Sequence, residues 1–170
     1  MESNYHQFES IHDIKRFLFA GNSTITLESV KTGVWFTYKI NENKKGKDVR
    51  FFVKVLTGND NTKSFTYMGT IYGGKVFKLN DSSRISAEAQ SYKAFQLFFT
   101  NLMYYQFVNV NMKVYHSGVC GRCGRKLTVP ESINEGLGPE CRGLVPVSIA
   151  DIRKKKLQKI EKQLLYENNK

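Results

Sequence analysis

Residues 24–40, TITLESVKTGVWFTYKI, set the structural pattern for the first half of the chain. Polar and apolar side chains alternate on both sides of the Lys-Thr-Gly segment at 31–33, and β-branched and aromatic residues are frequent. A period of two with this composition is typical of half-buried strands. A short glycine-containing segment between two such strands predicts a β-hairpin. We therefore expect the fold to centre on an antiparallel sheet.

Four further segments have the same period. VRFFVKVL at 49–56 follows a polar loop, and FTYMGTIY at 65–72 is joined to KVFKL at 75–79 by a Gly-Gly turn, which predicts a second hairpin. VNMKVYH at 110–116 comes after a helical segment and predicts a sixth strand, which ends at His116. Together these segments predict a twisted antiparallel sheet.

Three segments have helical periodicity. Ser10 can cap a short amphipathic helix at 11–20, and Gly21 follows it as a stop signal. Residues 86–107 predict the main helix, which we expect to pack on one face of the sheet through apolar side chains at helical intervals: Ala89, Tyr92, Phe95, Phe99 and Leu102. A basic C-terminal helix is capped by Ser148 and has a narrow apolar seam: Ile149, Ile152, Leu157, Ile160 and Leu164.

Composition limits the classes of protein that the chain can represent. Hydrophobic residues make up 41% of the 170 residues, with 12 Phe and 9 Tyr, so a sizeable core can form. No segment approaches the ~18 apolar residues of a membrane span, and the first residues lack the pattern of a signal peptide. Three cysteines do not suit a secreted disulfide framework, so we expect a cytoplasmic protein. The net charge of +11 favours an acidic partner and argues against a mimic of DNA.

All three cysteines lie within residues 116–141, HSGVCGRCGRKLTVPESINEGLGPEC. His116, Cys120, Cys123 and Cys141 offer three thiolates and one imidazole, a closed set of the kind that holds structural zinc in a tetrahedron. We therefore predict that these four residues bind Zn²⁺. Because four protein ligands leave no position for water, the ion is expected to be structural rather than catalytic.

The neighbouring residues predict how the ligands are presented. A glycine follows each of the first two cysteines, where a tight turn needs open backbone geometry and amide groups directed at sulfur. The Gly-Pro pair that ends at Pro139 can begin a helix, which places Cys141 in its first turn. Thr128 and Glu131 have the spacing of a capping box for a short helix that ends at Gly136.

Two alternatives to a metal site remain open. A Cys-x-x-Cys pair also occurs in thiol redox sites, and cysteines can simply be reduced and unliganded. A redox pair normally opens a helix, however, and needs neither a third cysteine nor a histidine. No His-x-Glu pairing of the kind that zinc deaminases use lies near the cluster.

These patterns predict an α+β fold, in which an antiparallel β-sheet with one main packed helix is followed by a small zinc module and a basic C-terminal helix. We expect three parts: an α+β domain at 1–115, the zinc-binding module at 116–145, and the helix at 146–170.

The segment CGRCGRKLTVPESINEGLGPEC resembles a zinc module of phage and prophage proteins, which has the form Cys-Gly-Arg-Cys-Gly-Arg-x-Leu-Thr-x-Pro-Glu-Ser-Ile followed by Gly-x-Gly-Pro-x-Cys. The upstream TGVWFTYKI, FFVKVLTGNDN and FTYMGTI are similar to the β-rich segment that accompanies it. The resemblance extends over about residues 24–142 and implies that Cys120, Cys123 and Cys141 bind metal. His116 matches a histidine often found four residues before the first cysteine.

A small basic chain with this module is also similar to the type II anti-CRISPR metalloproteins, which inhibit the RNA-guided nuclease Cas9. This resemblance implies a phage-encoded protein that binds Cas9, with or without guide RNA, blocks loading or cleavage of target DNA, and does no chemistry of its own. The alternative is a nucleic-acid-binding zinc-ribbon protein of phage replication or transcription, which would bind DNA alone with an affinity that falls steeply as salt rises.

Two basic clusters are the candidate partner-binding residues. The first surrounds the cysteine turn and either contacts a partner or balances the charge of the thiolates: Arg122, Arg125 and Lys126. The second lies early in the C-terminal helix and either contacts phosphates or an acidic surface or is a solvated helix face: Arg153, Lys154, Lys155, Lys156 and Lys159.

Other candidate sites are weaker. Trp35 and the strand tyrosines could stack on nucleic-acid bases, but an aromatic strand of this kind more often packs against helices. The sequence has no nucleotide-binding loop, no paired-carboxylate signature and no setting for a nucleophile, so we do not expect an enzyme.

Overall fold

The computed structural model describes residues 4–146 and 148–168, and within them the fold is α+β, as predicted. The strands are β1 (His6–Gln7), β2 (Asn22–Ser29), β3 (Trp35–Glu42), β4 (Arg50–Leu56), β5 (Phe65–Tyr72), β6 (Val76–Lys78) and β7 (Met112–His116). The helices are α1 (Ile11–Leu18), α2 (Gln90–Thr100), α3 (Pro130–Glu135), α4 (Pro139–Arg142) and α5 (Ile149–Asn168).

The strands form one antiparallel sheet in the order β1-β7-β2-β3-β4-β5-β6. Both predicted hairpins are present, and the strand predicted at 110–116 is β7. Strand β1 was not predicted, because two residues carry no periodicity. The order places β7 between two segments from the start of the chain, so the peptide that leads into the cysteines is part of the sheet.

The hydrophobic core lies between one face of the sheet and helices α1 and α2. Tyr38 and Ile40 of β3 are fully buried on this face, as are residues of β4. The Tyr38 ring lies 4.9 Å from the ring of Phe95 in α2, between centroids. The predicted main helix is confirmed, although it begins four residues later than expected, at Gln90. Its end is a π-helical turn, Asn101–Tyr105, followed by Gln106 in a left-handed conformation with φ 58°.

Helix α1 connects the sheet to the cysteine segment. The Ser10 side chain accepts a hydrogen bond from the Asp13 amide at 3.4 Å, so the predicted cap is confirmed. The helix ends at Leu18, two residues before the predicted end. Ile14, Phe17 and Leu18 are buried in the core, as the amphipathic pattern predicted.

Helix α5 is anchored at its beginning. Ser148 caps it by accepting from the Asp151 amide at 3.2 Å, and Ile152 is buried. Leu157 and Leu164 are 60% and 53% exposed, so the predicted apolar seam does not face the core along the whole helix. The side chain of Ile149 and residues 169–170 lie outside the described part. None of the helices in the described ranges has the length and apolarity needed to cross a membrane.

Candidate metal centre and basic groove

The three cysteines converge. Their sulfur atoms all lie within 4.8 Å of one another, and within residues 4–146 and 148–168 they form the one group with this arrangement of potential metal ligands. Cys120 and Cys141 are buried, whereas Cys123 is exposed. All three thiols are free of disulfides. A cluster of three thiolates at this separation fits a thiophilic metal ion.

Two short structures present the sulfurs, as the sequence predicted. The first is a tight turn closed by hydrogen bonds from the Gly124 amide to the Cys120 carbonyl at 2.9 Å and from the Cys120 amide to the Arg125 carbonyl at 2.8 Å. Gly124 has φ +75°, which an L side chain rarely adopts. The second is α4, which has Pro139 at its first position and Cys141 in its first turn. Both structures are fixed by local sequence, so the sulfurs have defined positions.

Main-chain amides favour the thiolate at Cys120. Burial alone would raise the pKa of this thiol, but three main-chain N–H groups outweigh burial and lower the pKa to about 7. One of them, from Gly138, lies 3.5 Å from the sulfur. Burial raises the pKa of Cys141, as does the neighbouring Cys123, although the Arg122 guanidinium lies 4.0 Å from the Cys141 sulfur. The cluster therefore has a thiolate near neutral pH, and thiolates are the form that binds metal.

The structure does not bring His116 to the cysteines, which corrects its predicted place in the ligand set. Its Nε2 donates to the Ile133 carbonyl oxygen at 2.7 Å, and its Nδ1 accepts from the Gly118 amide at 3.2 Å. Both ring nitrogens are therefore engaged, and neither has a lone pair free for a metal. His116 is 1% exposed, and its ring lies 4.7 Å from the ring of Phe8, between centroids. Val114 and His116 are both buried, because alternate side chains of β7 face the core. The His116 side chain therefore follows the strand pattern, which the four-residue spacing to Cys120 does not reveal.

The predicted capping box at Thr128 is wrong. Helix α3 begins at Pro130, and its cap position is Val129, which makes no side-chain hydrogen bond. Val129 precedes a proline, which disfavours the helical conformation, and it is extended with ψ 132°. Thr128 therefore lies one residue too far from the helix. The predicted end is confirmed, since Gly136 terminates α3 in a left-handed conformation with φ 70°.

The cysteine segment, residues 117–146, packs on α1. An added Cβ at Gly136 would lie 2.4 Å from the Phe17 ring, and one at Gly121 would lie 2.7 Å from it, so both glycines make close contact with this ring. Arg16 donates to the Arg142 carbonyl oxygen at 2.7 Å. The Asn22 amide donates to the Gly121 carbonyl oxygen at 2.8 Å. These contacts hold the segment against the end of the sheet.

A carboxylate joins α1, α3 and α4. Glu135 Oε2 lies 2.6 Å from Arg142 Nε and 3.9 Å from Arg16 Nη1. The Glu135 side chain is 26% exposed and that of Arg16 is 12% exposed. The Glu135–Arg142 pair is short, although its angles are not those of a hydrogen bond, and the Glu135–Arg16 pair is a longer ionic contact. The charges are thus partly shielded from water, where ion pairs act more strongly than on the surface.

A basic groove lies beside the cysteine segment. It has a volume of about 610 Å³ and is lined by seven cations from three separate segments: Lys44, Lys45, Lys47, Arg122, Lys155, Lys156 and Lys159. Two carboxylates, Glu42 and Glu167, also line it. The floor is mainly aliphatic and includes Leu144, which is 53% exposed, and Ile160. The lysines at 44–47 lie in the polar loop that precedes β4, and their proximity to α5 arises only in the folded chain.

The predicted partner-binding residues fall into two groups. Four line the groove: Arg122, Lys155, Lys156 and Lys159. Four do not: Arg125, Lys126, Arg153 and Lys154. Arg153 donates to the Gly73 carbonyl oxygen at 3.0 Å, and Arg125 lies 3.7 Å from Glu140 in an exposed pair. Lys156 is also structural, since it donates to the carbonyl oxygens of Asn43 and Asp48 at 3.1 and 2.6 Å.

One family model matches the chain, over residues 111–146, and it describes a family of unknown function (DUF6011). The match covers β7 and the cysteine segment, and the chain is similar to that family there. No curated protein and no solved structure matches the chain. Because the family description gives no activity, the relation to phage proteins and to Cas9 inhibitors stays a prediction.

Proposed function

We propose that this protein is a binding protein without catalytic activity, which docks on an acidic partner protein through the basic groove. The observation that carries the proposal is the convergence of seven cations with two carboxylates on one groove. Such a surplus of one sign attracts an oppositely charged surface and accelerates encounter. The aliphatic floor supports a protein partner rather than a phosphate strand alone, because apolar contact area stabilises protein interfaces.

We propose zinc as the ion that the three cysteines bind. Thiolate ligands at tetrahedral sites are typical of structural zinc, and the cytoplasmic location that we propose would keep the thiols reduced. When bound, zinc would supply a rigid link between the Cys120–Cys123 turn and α4. Arg122 and Leu144, which line the groove, lie in or beside these two structures. The metal would therefore stabilise the groove wall.

A role without catalysis is supported by the charge near the sulfurs. The Arg122 guanidinium lies 4.0 Å from the Cys141 sulfur. This permanent cation balances thiolate charge. With His116 outside the set, the three sulfurs leave one position of a tetrahedral ion unfilled, so the structural role is proposed from the charge balance and from the place of the sulfurs between the turn and α4, and not from a closed set of four ligands.

The narrower proposal is that the partner is Cas9 and that the protein is a phage-encoded inhibitor. The choice of Cas9 rests on the sequence resemblance. The groove supports an acidic protein as the partner and does not distinguish Cas9 from other acidic proteins. The rival proposal is a nucleic-acid-binding protein of phage replication or transcription, which the same cations support. The two differ in whether the isolated protein binds nucleic acid through the groove.

The test compares charge reversals on one helix. Lys159→Glu reverses a groove cation, and Lys154→Glu makes the same change on α5 outside the groove. Both lysines are exposed, so both variants should fold. We expect purified protein to co-elute with Cas9 loaded with guide RNA, and Lys159→Glu to weaken that complex about ten-fold relative to Lys154→Glu. A pull-down from bacterial cytosol with the same variants identifies any other acidic partner.

The outcomes separate the proposals. Failure to bind Cas9 rejects the narrower proposal, while groove-dependent capture of another acidic protein keeps the broader one. Groove-dependent binding of DNA alone, with steep salt dependence, supports the rival. Equal binding of every partner by the two variants rejects the groove as the docking site.

A further inference from the structure

The sheet has a second face, opposite the core, with an unusual composition. Neighbouring residues across an antiparallel pair share a face, and Lys39 of β3 pairs with Lys54 of β4, which pairs with Tyr67 of β5. The residues that alternate with them, such as Tyr38 and Val55, are buried in the core. The register therefore assigns Lys39, Lys54 and Tyr67 to one continuous row on the non-core face.

Aromatic and cationic side chains interleave over this face. Its strand positions carry six aromatic rings: Trp35, Phe52, Phe65, Tyr67, Tyr72 and Tyr115. They also carry five cations: Lys39, Arg50, Lys54, Lys78 and Lys113. Within the described strands, Glu28 is the one carboxylate on this face. The face therefore presents π-faces and positive charges side by side.

The rings remain accessible. None of the six is part of the buried hydrophobic clusters formed by the described residues. Trp35 is 57% exposed, and the other five are partly exposed. Arg50 lies over the Tyr72 ring at 5.5 Å from its centroid, and the Phe52 and Tyr67 centroids are 6.2 Å apart. Rings and cations are thus close enough to contact adjacent bases and phosphates of one strand.

We infer that this open face binds single-stranded nucleic acid, with bases stacked on the aromatic rings and phosphates paired with the interleaved cations. Every base has a π-face, so stacking tolerates any sequence. A duplex keeps its bases stacked internally and offers such a face little but phosphates. The open face is distinct from the basic groove, whose exposed floor is aliphatic. The chain therefore has two binding surfaces of different chemistry.

The chain provides its own reporter, because Trp35 is its single tryptophan. A base stacked on Trp35 quenches its fluorescence. The probe is a single-stranded oligothymidylate of about 12 nucleotides, within the usual length of such sites. We expect saturable quenching by this strand and much weaker quenching by a duplex of equal length.

Matched variants test the stacking. Trp35→Ala should weaken binding of the labelled strand about five-fold or more in an anisotropy titration, whereas Trp35→Phe, which keeps a ring, should remain within about two-fold of wild type. The control is Tyr104→Ala, which removes a 61% exposed ring from the π-helical turn at the end of α2. This control should bind as wild type does.

The cations are tested through salt. Lys39→Gln should lower the slope of log affinity against log salt by about one relative to wild type, and Lys154→Gln on α5 should not. The groove variant Lys159→Glu should bind the strand normally, which separates this inference from the proposed docking function. Absence of quenching, unchanged affinity in Trp35→Ala, or preference for the duplex would overturn the inference.

Discussion

His116 Nε2 donates to the Ile133 main-chain oxygen across 2.7 Å, so a strand residue of the sheet holds helix α3 of the cysteine segment. The Gly118 amide donates to the other ring nitrogen. This pair of bonds requires the neutral imidazole with its proton on Nε2. The histidine that the spacing suggested as a metal ligand is therefore a structural link between the sheet and the segment that carries the cysteines.

The link makes stability depend on pH. Burial lowers the pKa of His116 to about 4, despite the hydrogen bond to Ile133, which raises it. The unfolded chain takes up a proton at about pH 6.5, and the folded protein does not. The stabilisation is therefore complete above about pH 6.5 and is lost as the pH falls towards 4, by on the order of 2–3 kcal/mol.

The measurement is urea unfolding of wild type and His116→Gln at several pH values. We expect the His116→Gln variant to be less stable than wild type at pH 7, because glutamine does not fill the space of the buried ring. The difference in free energy of unfolding should shrink on acidification. Acid also protonates thiolates, but that affects both proteins alike. A difference that stays constant from about pH 7.5 to about pH 4.5 would contradict the assignment.

Metal binding should depend on the cysteines and not on the histidine. We expect about one zinc ion per chain in freshly purified protein, loss of it in Cys123→Ser, and its retention in His116→Gln, because the structure groups three sulfurs without the imidazole. Elemental analysis with thiol titration measures this. Metal lost from His116→Gln while the variant stays folded would restore the histidine to the ligand set.

Gly136 should not tolerate a side chain. It has φ +70°, and an added Cβ would lie 2.4 Å from the Phe17 ring. Backbone strain and overpacking together should reduce the free energy of unfolding of Gly136→Ala by about 2–4 kcal/mol. Gly143→Ala is the control, because nothing lies within 4 Å of an added Cβ there. Thermal unfolding should separate the two variants clearly, and equal melting temperatures would refute the close contact.

The partly buried Glu135 cluster should contribute more to the free energy of unfolding than the exposed Arg125–Glu140 pair does. Glu135→Gln leaves Arg142 and Arg16 partly shielded without a counter-charge and should cost about 1–3 kcal/mol. In Glu140→Gln the lost pair with Arg125 is about 80% exposed, and the change should cost less than about 0.5 kcal/mol. Chemical denaturation at low and high salt provides the comparison. Added salt should reduce the cost of Glu140→Gln and leave the cost of Glu135→Gln nearly unchanged.

Local structure was predictable from sequence where one short segment determines it. The hairpin at 24–40, the Ser10 cap and the first-turn position of Cys141 are each fixed by neighbouring residues, and each is confirmed. The predicted cap at Thr128 was wrong for a reason visible in the sequence. Val129 precedes Pro130, so it stays extended and takes the cap position itself.

Features that depend on distant residues were not predictable. The groove needs lysines at 44–47 to approach α5, and this approach is fixed by the Lys156 bonds to Asn43 and Asp48. The aromatic face needs the pairing register of five strands, which no single segment encodes. The place of His116 depends on the pairing of β7 with β1 and β2, which sets its side chain on the core side of the sheet, where it bonds to Ile133.

The insertion of β7 between β1 and β2 has a consequence for how the protein folds. Its register pairs His116 with Ile25 and with His6, so the sheet joins the beginning of the chain to residues far along it. Pairing of such distant segments is slow, because a long loop must close before any contact compensates the lost entropy. During synthesis the hairpins can form early, but β1 and β2 have no strand to pair with on this side of the sheet until β7 emerges, and the cysteines follow directly after it. Assembly of the cysteine cluster is thus coupled to the last step of sheet closure.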